Sequence, residues 1–286
     1  MNPPGLAPAR PLAPTRPLTP TVVRPARFRD LAAAEWIKFW SLRSTPLVLL
    51  GLTAWYGYRG WQGAHDTYSR YPALTPAQRA GFTDSGLFGS GVEWLPIMVA
   101  TGALGALTVV SEHASGLIRT TFTAVPDRLR VVTAKVAVLT AVMSGLGAAV
   151  TAEVYAFDRA VLAGHHFSFA PTDPGVPSLF VSTVVLMPLC ALIGMAFGTL
   201  IRNVAASMVA VCVFFLMLPQ LFKSPTTRWA IDVGNALPCY AWARLGFLGH
   251  GKVVGGETYT GALAAFVLWP LVSAAVVAVV LNRRDV

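Results

Sequence analysis

"LFVSTVVLMPLCALIGMAFGTLI", residues 179–201, runs for 23 residues without a charged side chain. A hydrocarbon layer about 30 Å thick needs about 20 apolar residues in a helix to cross it, so this stretch predicts a membrane span. Two neighbours are equally free of charge, "VAASMVAVCVFFLMLPQLF" (204–222) and "GALAAFVLWPLVSAAVVAVVLN" (261–282). Two more have uncharged cores of 17 residues, "WLPIMVATGALGALTVV" (94–110) and "VAVLTAVMSGLGAAVTA" (136–152). The weakest is "STPLVLLGLTAWYGY" (44–58), closed by Arg43 and Arg59. Its arginines can snorkel, and Trp55, Tyr56, Tyr58 and Trp61 suit a membrane interface. The reading is an all-α polytopic membrane protein with six spans, at about 44–61, 92–110, 133–155, 179–201, 204–222 and 261–282.

Composition agrees. Of 286 residues 55% are hydrophobic and 12% charged, with a mean hydropathy of +0.59, where soluble domains carry about 25% charge. Cys190, Cys212 and Cys239 have no metal-ligand spacing and read as packing residues, with no disulfide framework and no metal site. The net charge of +9 is explained by where the 22 lysines and arginines lie. Fourteen fall in the N-terminal segment, the segments after spans two and four, and the tail; eight fall in the other three loops. The positive-inside bias therefore places both termini in the cytoplasm. The surplus charge serves orientation and lipid contact, and nucleic acid is not an expected partner. Residues 1–27 hold eight prolines and no apolar run, which reads as a disordered, basic cytoplasmic tail without a signal peptide.

"FRDLAAAEWIKFWSLRS" (28–44) comes next. At 100° per residue, Phe28, Leu31, Ala32, Phe39 and Leu42 share a face, widened by Trp36 and Trp40, with Lys38 and Arg43 at its edges. That pattern predicts an interfacial helix over 28–43 lying along the membrane. Glu35 is the misfit, since it points into the apolar arc. Either it pairs with Lys38 at i, i+3 spacing or it reaches a basic group on the neighbouring cytoplasmic loop. Both remain open.

"EWIKFWSLRST" (35–45) and "SEHASGLIRTTFTAVPDRLRVVTAK" (111–135) together resemble the permease subunits of bacterial ATP-binding-cassette (ABC) exporters of the type-2 permease family. In that family an interfacial elbow helix with an E-W-x-K-like core precedes span one. Glu112, Gly116, Ile118, Arg119, Pro126, Arg128 and Lys135 fall where its segment after span two has like residues, while Ala114 stands where a basic residue is common. The resemblance implies an ABC type-2 exporter-like fold in a bacterial plasma membrane, a second permease copy or relative as dimer partner, and a separate cytoplasmic ATPase. It also implies that a short helix between spans two and three docks in a groove of that ATPase.

The residues of that segment suit the task. Gly116 lets the chain turn out of span two, and Pro126 ends or kinks the helix between them. Leu117, Ile118 and Phe122 form an apolar strip with Arg119 beside it, as helix-in-groove contacts use; Glu112 and Arg128 flank it. The alternative is a cytoplasmic extension of span two packed on its own subunit, its basic residues merely setting topology. ATP and magnesium are expected on the partner, not here. "GFLGHGKV" (246–253) has phosphate-loop spacing, but Val253 replaces the magnesium-ligating Ser/Thr and no strand precedes it.

Elsewhere, "GHHF" (164–167) reads as an outer loop. Glu153 near the outer end of span three is a functional candidate or an interface residue. Gly194 and Gly198 in "GMAFG" have small-xxx-small spacing for close helix approach, as do Gly102 with Ala106 and Gly145 with Ala149. The long segment 223–257 predicts broken interfacial helices in the outer leaflet. An ion-coupled carrier would need midplane charges and a membrane-embedded enzyme would need convergent nucleophiles, and the spans hold neither.

Overall fold

The computed structural model describes residues 27–42, 44–73, 75, 94–117, 121, 127–163, 171–172, 176–222, 227–246 and 259–283. Every regular element among them is helical. Helix α1 (Phe28–Ser41) precedes α2 (Ser44–Arg70), α3 (Leu95–Ala114), α4 (Arg128–Leu162) and α5 (Val176–Ile201). Then come α6 (Val204–Cys212), α7 (Leu218–Leu221), α8 (Arg228–Asn235), α9 (Pro238–Gly246) and α10 (Tyr259–Arg283). Five helices are long and apolar enough to cross a membrane: α3, most of α4, α5, the continuous run Val204–Leu221, and α10. The architecture is a helical, multi-pass membrane protein. Helix α2 falls outside those five because Arg59, His65, Asp66 and Arg70 interrupt its later turns.

Helix α5 is the centre. In its most apolar window 72% of residues are buried, against 22% for Val204–Leu221 and for α10. It is hydrophobic on all sides, as a helix surrounded by others must be, and it packs against α3, α4, α6, α9 and α10. Small residues set how close α3 comes. A methyl at Gly194 would overlap the Gly102 carbonyl, one at Gly105 the Ala191 carbonyl, and one at Gly198 would lie 2.7 Å from the Ala106 carbonyl. Without side chains to separate them the backbones meet directly.

Local chemistry shapes the helix ends. Asp30 accepts the Arg27 N–H at 3.1 Å, placing an anion at the positive end of α1. Asp127 caps α4 through the Arg130 N–H at 3.2 Å, and Asn203 caps α6 through the Ala206 N–H at 3.0 Å. Pro219 has no N–H and its ring crowds the carbonyl four residues back; a wider π turn over Val213–Met217 accommodates it. The connection from α7 to α10 contains two short helices, α8 and α9, in the segment read as broken helices. Of these α9 is well buried, and its Trp242 donates to the Thr183 hydroxyl of α5 at 3.0 Å. Trp94 lies between Tyr56 and Trp242, 5.1 and 5.3 Å away by ring centroid. The Tyr56 hydroxyl accepts the Ile97 N–H at 3.1 Å, satisfying one of the orphan donors that open α3.

Candidate functional site

Helix α1 meets the body of the protein along a narrow stripe. Leu31, Glu35 and Phe39 are its buried residues, one turn apart. Leu31 packs with Val131 and Ala134 of α4, and Phe39 joins the main core. The other large apolar residues face outward: Phe28, Trp36, Ile37 and Trp40 are all exposed. The expected single apolar face is thus divided. The slimmer part holds α1 to the protein, and the tryptophan side is left exposed.

Glu35 pairs with Lys38 and also reaches a cation beyond α1, but that cation sits early in helix α4 rather than on a loop. Its Oε1 accepts from Lys38 Nζ at 2.7 Å, and its Oε2 accepts from Lys135 Nζ at 2.6 Å across 100 residues of sequence. Lys135 also donates to Glu112 Oε1 at 2.8 Å and reaches the Thr108 carbonyl at 3.5 Å. Lys38 closes the ring on Glu112 Oε1 at 3.2 Å. Two carboxylates and two ammoniums alternate, so the cluster is neutral as a whole. Three members are nearly removed from water (Glu35 at 5%, Lys135 at 7% and Glu112 at 8% exposure), while the Lys38 side chain keeps 28%. Burial pushes the Glu35 carboxyl up, but Lys135 and Lys38 outweigh it and hold the pKa below the usual value. Burial pulls the Lys38 ammonium down, but Glu35 and Glu112 outweigh it and raise its pKa. Both groups are therefore held in their charged forms.

The cluster joins three helices at one point: α1 through Glu35 and Lys38, the last turns of α3 through Glu112, and the first turns of α4 through Lys135. It sits at the base of the segment linking α3 to α4. There Gly116 has a φ of +70°, a left-handed conformation that glycine adopts without strain. Leu117 comes directly after it with 41% exposure. Arg128 turns inward instead and donates from Nη1 to the Leu281 carbonyl of α10 at 3.3 Å. Ile118, Arg119, Phe122 and Arg43 lie outside the described residues, as do "GHHF" and residues 247–258.

Two other predicted positions are placed by packing. Gly194 and Gly198 lie in the α3–α5 seam within the chain, whereas Gly145 has open space before it. Glu153 lies against Gly57 of α2, where an added methyl would overlap its carboxylate, and its Oε2 is buried without a partner among the described residues. Thr108 is the member of the site to which sequence reasoning assigned no part, and Lys135, matched there to the segment after span two, was not paired with Glu35. The signal was a lone lysine in "VVTAKVAV" (131–138), inside an apolar run, paired with a lone glutamate at the end of the preceding one. Protein-family models, curated proteins and solved structures were all compared with the chain, and none matches it.

Proposed function

We propose that this chain is the membrane-spanning permease subunit of an ATP-driven exporter of the ABC type-2 kind, lying in a bacterial plasma membrane. In this reading α2 is a sixth span and both termini face the cytoplasm. Two such subunits, identical or related, line the pathway, and each engages a separate cytoplasmic ATPase that holds ATP and magnesium. The observation that carries the reading is the buried ring of Glu35, Lys38, Glu112 and Lys135. It ties the elbow helix to both roots of the segment that would receive the ATPase. A load applied to that segment cannot move one root alone without separating buried charges, which costs several kcal/mol. The segment, the elbow and the inner ends of α3 and α4 therefore move as one body.

The contact surface is tested at Leu117 and Phe122. A carboxylate forced into an apolar groove costs several kcal/mol, whereas Leu117 already faces water in the free subunit. Leu117→Asp and Phe122→Asp are expected to leave membrane yield unchanged and to abolish co-purification of the ATPase. Arg119→Ala is expected to do less, since a rim charge sets on-rate and salt dependence more than affinity. Normal yield with a bound ATPase still driving transport would defeat the reading. A second reading, an ion-coupled carrier, draws on Glu153, whose buried oxygen lacks a partner among the described residues. It predicts transport that persists without any ATPase and stops in Glu153→Gln.

A further inference from the structure

A cavity of about 250 Å³ opens beside the charge ring, between α1 and the ends of α3 and α4. One water needs roughly 10–15 Å³ by a comparable measure, so there is room for a larger group. Its walls are mostly apolar, formed by Phe39, Leu42, Leu117, Val138 and Leu139, and its polar surface comes from the ring, three serines and Thr108, whose hydroxyl donates to the Gly105 carbonyl. Hydrogen-bonding capacity not used by the protein defines what could bind. Ser41 donates its proton to the Lys38 carbonyl at 2.7 Å, Ser111 to the Leu107 carbonyl at 2.6 Å, and Ser115 to the Ser111 carbonyl at 2.8 Å. Each hydroxyl thus offers the cavity lone pairs only.

The ring is similarly lopsided. Lys135 spends its three donors on Glu35, Glu112 and the Thr108 carbonyl. Both lysines converge on Glu112 Oε1, so Glu112 Oε2 accepts nothing among the described residues. Lys38 donates to two oxygens and has one N–H left over among the described residues, on the most exposed nitrogen of the ring. The spare set includes the three serine hydroxyls and a carboxylate oxygen as acceptors, with one cationic donor nearby. Such a set suits a primary ammonium, which has three N–H donors, joined by a short link to an anion facing Lys38. The apolar walls suit a chain attached to it.

We infer that this cavity binds the headgroup of a phospholipid bearing a primary ammonium, the phosphoethanolamine class, drawn from the leaflet in which α1 lies. The location agrees, because the exposed Trp36 and Trp40 place α1 at headgroup depth. A trimethylammonium headgroup has no N–H to donate, and a glycerol headgroup has no cation, so the site discriminates by hydrogen bonding rather than by size. The inference rests on the chain lying in a bilayer and not on its coupling to an ATPase.

The test uses the full chain without any ATPase. It is reconstituted in vesicles of phosphatidylethanolamine with phosphatidylglycerol, or with phosphatidylcholine replacing the phosphatidylethanolamine. After extraction, tightly held lipid is counted by native mass spectrometry, and recovery in the membrane fraction separately checks the bilayer reading. Retention of phosphatidylethanolamine is expected to exceed that of phosphatidylcholine about tenfold, the value of one charge-assisted hydrogen bond. Val138→Phe fills the cavity from its apolar side without touching the ring and should reduce retention to the phosphatidylcholine level. Ser111→Ala with Ser115→Ala removes two acceptors, one half-buried and one exposed, and should erase most of the preference. Equal retention of the two lipids by the unaltered chain overturns the inference. So does an undiminished preference in the double serine variant. Displacement by soluble glycerophosphoethanolamine at equal concentration overturns the lipid assignment in favour of a soluble ligand.

Discussion

Glu35 shows how a single side chain that violates its local pattern reports on a distant one. A carboxylate on the apolar arc of a helix is costly unless a cation is waiting for it, so its place in the sequence announces a partner without naming it. Lys38 was nameable from i, i+3 spacing; Lys135 was not, because sequence distance carries no information about which of the chain's cations lies across the gap. Removing one member of a buried ion pair strands the other. Lys135→Met is therefore expected to destabilise the chain by about 3–5 kcal/mol, read as a lowered thermal midpoint in detergent, with Lys135→Arg showing a smaller loss. Within the ring, Glu35 and Lys38 give a response to pH. Glu35 has a depressed folded pKa, so its stabilisation is full above the ordinary carboxylate value of about 4.3 and disappears as pH falls through the lower folded value. Lys38 has a raised one, so its contribution is full below about 10.4 and disappears as pH climbs through the higher folded value. The ring's own contribution to the thermal midpoint should be flat between those limits and fall on both sides. Glu35→Gln should start lower at neutral pH and lose much of the acid limb; parallel acid limbs would mean that other carboxylates dominate it.

At the scale of helices, the apolar runs were readable because a bilayer demands their length, and the seam between α3 and α5 only in part. The spacing of Gly194 and Gly198 announces a close approach, but small residues fit against any backbone, so the partner became known only when Gly102, Gly105 and Ala106 were found opposite. The division of the α1 face was beyond the pattern for a related reason. A hydrophobic arc shows what avoids water, and in a membrane both protein and lipid satisfy it. The seam has little slack. Gly194→Ala places a methyl on the Gly102 carbonyl and should cost about 1–3 kcal/mol as overpacking, lowering the melting midpoint. Gly145→Ala faces open space and should raise or leave unchanged that midpoint, since alanine restricts the unfolded chain more than glycine does. Equal effects at the two positions would show that the seam relaxes freely.

For the molecule as a whole, the open question is whether α2 crosses the membrane, since its own composition falls short of the other five. Packing argues that it does. Gly57 lies on Glu153 and Gly60 on Val154, so α2 runs in the same direction as α4 and alongside it. Tyr56, Gly57, Gly60 and Ala64 are buried over that length. A helix parallel to a span and closed against it must share its depth, and the polar residues of α2 fall in its later turns, toward the end where α4 carries Asp158 and Arg159. The orientation proposed above puts the start of both helices inside. In a chain whose three cysteines are replaced by alanine, Ser69→Cys at the exposed far end of α2 should label with an impermeant maleimide on intact cells. Thr133→Cys, exposed near the start of α4, should label only after the membrane is opened. Arg29→Cys, exposed ahead of α2, should likewise label only after the membrane is opened; if α2 instead lay along the surface, Arg29→Cys and Ser69→Cys would react from the same side, and the sixth span would fall.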